Sequence, residues 1–255
     1  MDARTTRGQI TAYATLVMGS QYRTHAFFVL IIGEYARLIR WDRSGAVVTE
    51  RIKYDETSEL FDFFMRYDLA DSEARGHDST VGTPTKEELE RASQFVGEMD
   101  KTSFLAVSIS PPGQTDPKRY IIPTPIARTD IPVGRWTRAS RAYDLENQKE
   151  VFLKDTWRMV EPNILPESSV YKILQQKGVP NIPYCTYGDD VGDDKYHHTC
   201  TQTLITLFSE SNNLIPYRHH RLILTPIARK LEDFRTSREM VTAVYKALVG
   251  KLTSC

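Results

Sequence analysis

KEVFLKDTWR, residues 149–158, contains the residue on which the reading of this chain turns. Val151, Phe152 and Leu153 are bulky and partly β-branched, the pattern of a buried strand. Lys154 follows directly, so the apolar run is expected to end on a charge. Two physical readings are open. A lysine at the end of an apolar strand ordinarily lays its methylene stem along the core and lifts its ammonium into water. Otherwise the ammonium is kept inside because a phosphate needs it.

The sequence around Lys154 has a definite order. Upstream, residues 133–148 read as a strand that turns at Glu146-Asn147-Gln148 into VFLK. Downstream, PESSVYKILQQKG (166–178) has proline in its first turn, Glu167 near the positive end and Gly178 just past the last turn, which predicts a helix. VPNIPYCTYGDD (179–190) and HHTCTQTLITLF (197–208) read as strands around the acidic loop 189–194. RLILTPI (221–227) is a continuous apolar strand. TSREMVTAVYKALVGKL (236–252) is a helix, with Thr236 and Glu239 at capping-box spacing and Met240, Val244, Leu248 and Leu252 on one stripe.

The first half is organised differently. QITAYATLVM (9–18) reads as a helix, and residues 25–52 as a three-stranded meander broken at Gly33-Glu34 and at 42–45. TSELFDFFMRY (57–67) predicts an amphipathic helix with Leu60, Phe61, Phe64 and Met65 on the buried side. Residues 71–92 are polar, with two glycines and a proline, and read as a disordered insertion that ends in a short helix. Strands are expected again from Phe104 and from Arg119, around the proline-rich loop 111–117.

The whole-chain composition narrows the function classes. With 33 basic and 33 acidic residues the chain has no net charge, and so no global field that would draw it to nucleic acid or an anionic membrane. Three cysteines without regular spacing do not make a disulfide framework and suit a reducing compartment. The most apolar run, 26–32, is far shorter than the roughly 20 residues that span a bilayer. The expectation is an intracellular protein, cytoplasmic or nuclear, with no nucleic-acid or membrane partner.

Other constellations add little chemistry. His197-His198 and His219-His220 are adjacent pairs, and neighbours in a strand point to opposite faces, so neither pair is expected to chelate one metal. The four aspartates at 189, 190, 193 and 194 lack the alternating order and distal glutamate of a calcium loop. No G-x-S-x-G is present, and Cys185 and Cys200 read as small core residues. No metal site is expected.

From Val133 onward the order is that of a protein-kinase N-lobe running into the first C-lobe helix. TRGQITAYA (6–14), FVLIIGEYARLIRWDRSGAVVTE (28–50), GRWTRASRAYDLENQKEVFLKDTWR (134–158), ILQQKGVPNIP (173–183) and HHRLILTPIARKLEDFRTSREMV (219–241) resemble the fungal-type protein kinase family. The resemblance implies an α+β fold. Residues 1–128 would form an extension built on the meander, and residues 129–255 an N-lobe of antiparallel sheet with one packed helix. It also implies ATP as cofactor, with Lys154 pairing the α- and β-phosphates. Gly134 and Arg138 would come from the phosphate-covering loop, Leu224 would be the gatekeeper, and Thr225 and Ile227 would belong to the hinge. The helix acid that pairs the lysine is expected near Ser169. Glu167 is the nearby candidate, and it is equally accounted for by the helix dipole.

No H-R-D-x-x-x-x-N and no D-F-G occurs in the sequence, so the ligands that hold Mg²⁺ in the family are missing and no residue is assigned a catalytic role. The chain is therefore expected to be the N-terminal part of a Ser/Thr protein kinase, inactive alone and at most a weak ATP binder. The alternative is a non-catalytic, pseudokinase-like module that binds a protein partner.

Overall fold

The computed structural model describes residues 3–97, 103–111, 113, 116–125, 131–192, 196–208 and 213–254. Helix α1 (Ala3–Ser20) leads into strands β1 (Ala26–Ile32), β2 (Tyr35–Asp42) and β3 (Gly45–Val48). The three pair antiparallel in sequence order, as the turn signals predict. Gly33 adopts φ 59°, the left-handed conformation that the first tight turn requires. A short β4 (Ile52–Lys53) adds to β2 and makes the sheet four-stranded.

Helix α2 (Glu59–Leu69) has the expected period but a different phase. Phe61, Phe64 and Met65 are 66%, 50% and 46% exposed. The packed stripe is instead Phe63 and Tyr67, whose rings lie 5.8 and 6.0 Å from Phe27 of β1. The apolar arc of the helix is broad, so it offers two overlapping faces. The aromatic ring of β1 selects between them.

The segment 71–92, expected as a disordered insertion, is built into the fold. Its polar groups have defined partners: the Ala74 N–H donates to Asp71 Oδ1 at 2.7 Å, and the Thr24 N–H donates to the Gly76 carbonyl at 3.0 Å. Gly76 has φ 90°, and a Cβ there would stand 2.0 Å from the His25 carbonyl oxygen. Asp78 is buried. Strand β5 (Val81–Gly82) joins the main sheet, and the expected short helix is α3 (Lys86–Arg91), closed by a Thr85/Glu88 capping box. Within this polar segment Asp78 joins a buried polar network, while much of the rest faces solvent.

After α4 (Ser93–Gly97) come β6 (Phe104–Ile109), β7 (Lys118–Pro123), β8 (Arg138–Asp144), β9 (Lys149–Met159), helix α5 (Glu167–Gln176), β10 (Tyr184–Asp190), helix α6 (Thr201–Thr206), β11 (Tyr217–Thr225) and helix α7 (Ser237–Ser254). One antiparallel sheet runs β10-β11-β9-β8-β7-β6-β5. This α+β arrangement is compatible with a kinase-like N-lobe. The boundary expected at 128/129 lies outside the described residues, and the sheet draws strands from both sides of it. The β8–β9 turn is held by Asp144, which accepts from the N–H groups of Glu146 and Asn147 at 3.0 Å each. One face of the sheet carries the main core, with Val107, Tyr120, Val151, Leu153 and Ile223. The other carries Phe95, Ala106 and Ile121.

Two expectations are corrected here. Lys154 does not end its strand, because β9 continues to Met159 against β11. Residues 201–206 are helix, not strand. Their β-branched content reads as strand, but Asp42 Oδ2 accepts from the N–H groups of Cys200 and Thr201 at 2.9 Å each. That carboxylate satisfies the open end of α6 from a remote segment. Among the described residues no helix is long and apolar enough to cross a membrane.

Candidate functional site

Along β9, Phe152, Lys154, Thr156 and Arg158 share one face, and Val151, Leu153, Asp155 and Trp157 the other. Lys154 lies in register between Ala139 of β8 and Leu222 of β11. Its Nζ donates to both carboxylate oxygens of Glu167, each at 2.7 Å. The two side chains are 23% and 25% exposed, so the pair is neither solvated nor sealed. Glu167 sits in the first turn of α5, and there it also complements the helix dipole. Ser169, the position counted for the helix acid, is not the partner. Helix α5 can approach this closely because Gly188 of β10 has no side chain: a Cβ there would lie 2.5 Å from Ser168 Cβ.

The remaining sequence candidates divide between two places. Leu224 is buried and pairs in register with Phe152, which puts it beside Lys154 on the same face. Thr225 ends β11, and Ile227 follows in the extended segment, both half-buried. Gly134 and Arg138 point elsewhere. The Gly134 N–H donates to the Arg43 carbonyl at 2.8 Å, which ties the loop to the β2–β3 turn. Arg138 stands opposite Asp155 in the ladder, on the face away from Lys154. Its guanidinium donates to the carbonyls of Met18, Gly19 and Gln21 at 2.8, 3.1 and 2.7 Å and lies 4.3 Å over the Tyr22 ring. Those carbonyls at and just past the α1 C-terminus are open acceptors, and a cation is favoured there. Arg138 thus caps α1 from the face of the sheet away from Lys154.

A family model described as fungal protein kinase matches residues 1–253. The chain belongs to the fungal protein kinase family. No curated protein and no solved structure matches it. The match covers the meander as well as the lobe, so the family relationship extends over both sheets.

This fungal protein kinase family member has a second polar constellation, on the opposite face of β9, which reading the sequence missed. Arg221 donates from Nε to Asp155 at 2.7 Å, from Nη2 to Asp78 at 2.8 Å and from Nη1 to Thr80 at 2.6 Å. His219 Nε2 faces both Asp155 oxygens at 2.9 Å, and its ring stacks on Trp157 at 4.9 Å. His197 Nδ1 lies 3.0 Å from His219 Nδ1. Burial alone would raise the Asp155 carboxyl, but His219 and Arg221 beside it outweigh burial and hold it well below the usual carboxylate range. Asp78 is lowered by the same opposition, chiefly through Arg221. Burial pushes His197 down to about 4. One signal in the sequence pointed here: Asp155 falls on the apolar Val151/Leu153 face, where a charge must have partners.

Proposed function

We propose that this chain supplies the nucleotide-facing lobe of a protein kinase whose family activity is ATP-dependent phosphorylation of Ser/Thr on proteins. On its own it would hold ATP weakly and transfer nothing. The Lys154–Glu167 pair carries this reading. A lysine fixed by a helix glutamate on a strand of an antiparallel sheet is the arrangement by which kinases align the nucleotide phosphates. Lys154, Leu224, Thr225 and Ile227 fit the nucleotide, since β9 and the end of β11 bring them to one region. Arg138 does not fit it. Bound ATP would bring the transferable phosphoryl group. This chain's part is to hold Lys154 against Glu167 and to orient the phosphates. Mg²⁺, which the family uses, finds no H-R-D-x-x-x-x-N or D-F-G ligands in this sequence.

Calorimetry with ATP on the wild type and on Lys154→Ala tests the reading. An affinity near 1 mM corresponds to only about 4 kcal/mol, so losing one charge-assisted contact of roughly 1.5–3 kcal/mol would make binding undetectable. The expected result is weak binding that Lys154→Ala abolishes in a folded protein. Binding that the substitution leaves unchanged would overturn the nucleotide role. The second reading, a non-catalytic module for a protein partner, would then stand first. It is already favoured by the commitment of Arg138 to α1.

A further inference from the structure

We propose that Asp78, His197 and His219 bind a single divalent transition-metal ion of the zinc class. One donor atom from each residue lies within 4.8 Å of the other two, and all three side chains are buried. His219 Nδ1 stands 3.0 Å from His197 Nδ1 and 3.9 Å from Asp78 Oδ2. Ligands around a tetrahedral zinc, bonded at roughly 2.0–2.2 Å, lie about 3.3 Å from one another, between those two distances. The adjacent pairs His197-His198 and His219-His220 still point apart. The fold joins one member of each pair across the sheet edge, a combination that no spacing rule in the sequence would suggest.

The groups around the two imidazoles suit a cation. With Nε2 donating its hydrogen to the two oxygens of Asp155, His219 turns the lone pair of Nδ1 the other way. That lone pair is aimed at His197 and Asp78. Asp78 and Asp155 bring two negative charges and Arg221 one positive, so the cluster is net negative and attracts a cation. The surroundings are those of a supported metal site. A carboxylate orients the ligating histidine through its other nitrogen, and Thr80 and Arg221 fix Asp78. Gly192 lets the chain pass close to His197, since a Cβ there would lie 2.3 Å from the imidazole Cδ2. The ion would staple segment 71–92, the loop before α6 and β11.

The test uses the full chain stripped of metal with a chelator. Zn²⁺ is titrated by calorimetry and Co²⁺ by visible absorption. The expected result is one ion per chain, a raised thermal midpoint, and the strong visible bands of tetrahedral Co²⁺. His197→Asn should weaken binding at least about 100-fold, while His198→Asn leaves it unchanged. If His197→Asn fails to fold, the Co²⁺ bands and the midpoint shift on the wild type decide. Absence of stoichiometric binding by the folded wild type would overturn the proposal, with a shared proton holding the histidines instead. So would binding that survives His197→Asn, or equal loss in the His198 variant.

Discussion

Replacing Arg138 separates its structural place from the place its sequence suggests. The carbonyls of Met18, Gly19 and Gln21, at and just past the end of α1, are all reached by Nη2, at 2.8, 3.1 and 2.7 Å, and that nitrogen has two hydrogens to share among them. Two charge-assisted bonds, each netting roughly 1.5–3 kcal/mol, set the scale. The carbonyls near Gln21 regain water when the side chain is removed, which reduces the loss to about 3 kcal/mol for Arg138→Ala. With a urea slope near about 3 kcal/mol per molar for a chain of this size, the midpoint should fall by about 1 M. Arg138→Lys should fall between, since an ammonium is a compact point charge and lacks the planar fork that reaches over the Tyr22 ring. Urea unfolding followed by tryptophan fluorescence reads the shift, and calorimetry with ATP on the same variants reads the other possibility. A stable Arg138→Ala that has lost ATP affinity would refute the reasoning and return this arginine to the phosphates.

Gly76→Ala should cost more than about 3 kcal/mol, because the added Cβ meets the His25 carbonyl at 2.0 Å and φ is 90°. A near-native thermal midpoint for that variant would mean that segment 71–92 does not dock as described. The second expectation concerns pH. Burial first, and Arg40 next, push His25 down to about 4, below the roughly 6.5 of an unfolded chain. As pH falls below about 6.5 the unfolded state takes up the proton first, so stability is lost from there down through about 4. Between pH 7 and 5 this one group should remove about 2 kcal/mol. His25→Gln should flatten that part of the stability profile, and an unchanged slope would show that His25 binds its proton alike in the folded and unfolded protein.

The sequence by itself determined the strands and their turns. VFLK, RLILTPI and the 25–52 meander carry apolar patterns bounded by Gly33-Glu34, residues 42–45 and Glu146-Asn147-Gln148, and each forms a strand or turn there, although β11 stops at Thr225, before Pro226 and Ile227. It also set the start of α5, and with it Glu167 as a candidate partner for Lys154, because proline and an acid in the first turn act through the local backbone. What the sequence could not hold was any preference set by a partner far along the chain. Phe27 decides which face of α2 is buried, Asp42 turns 201–206 into helix, and the α1 carbonyls hold Arg138 on the face away from Lys154. The histidines show the same limit: period two correctly separates 197 from 198 and 219 from 220, but only strand pairing brings 197 to 219. Hydrogen bonds and ring contacts reach only a few ångströms, so which groups meet is decided by the fold that closes the intervening chain.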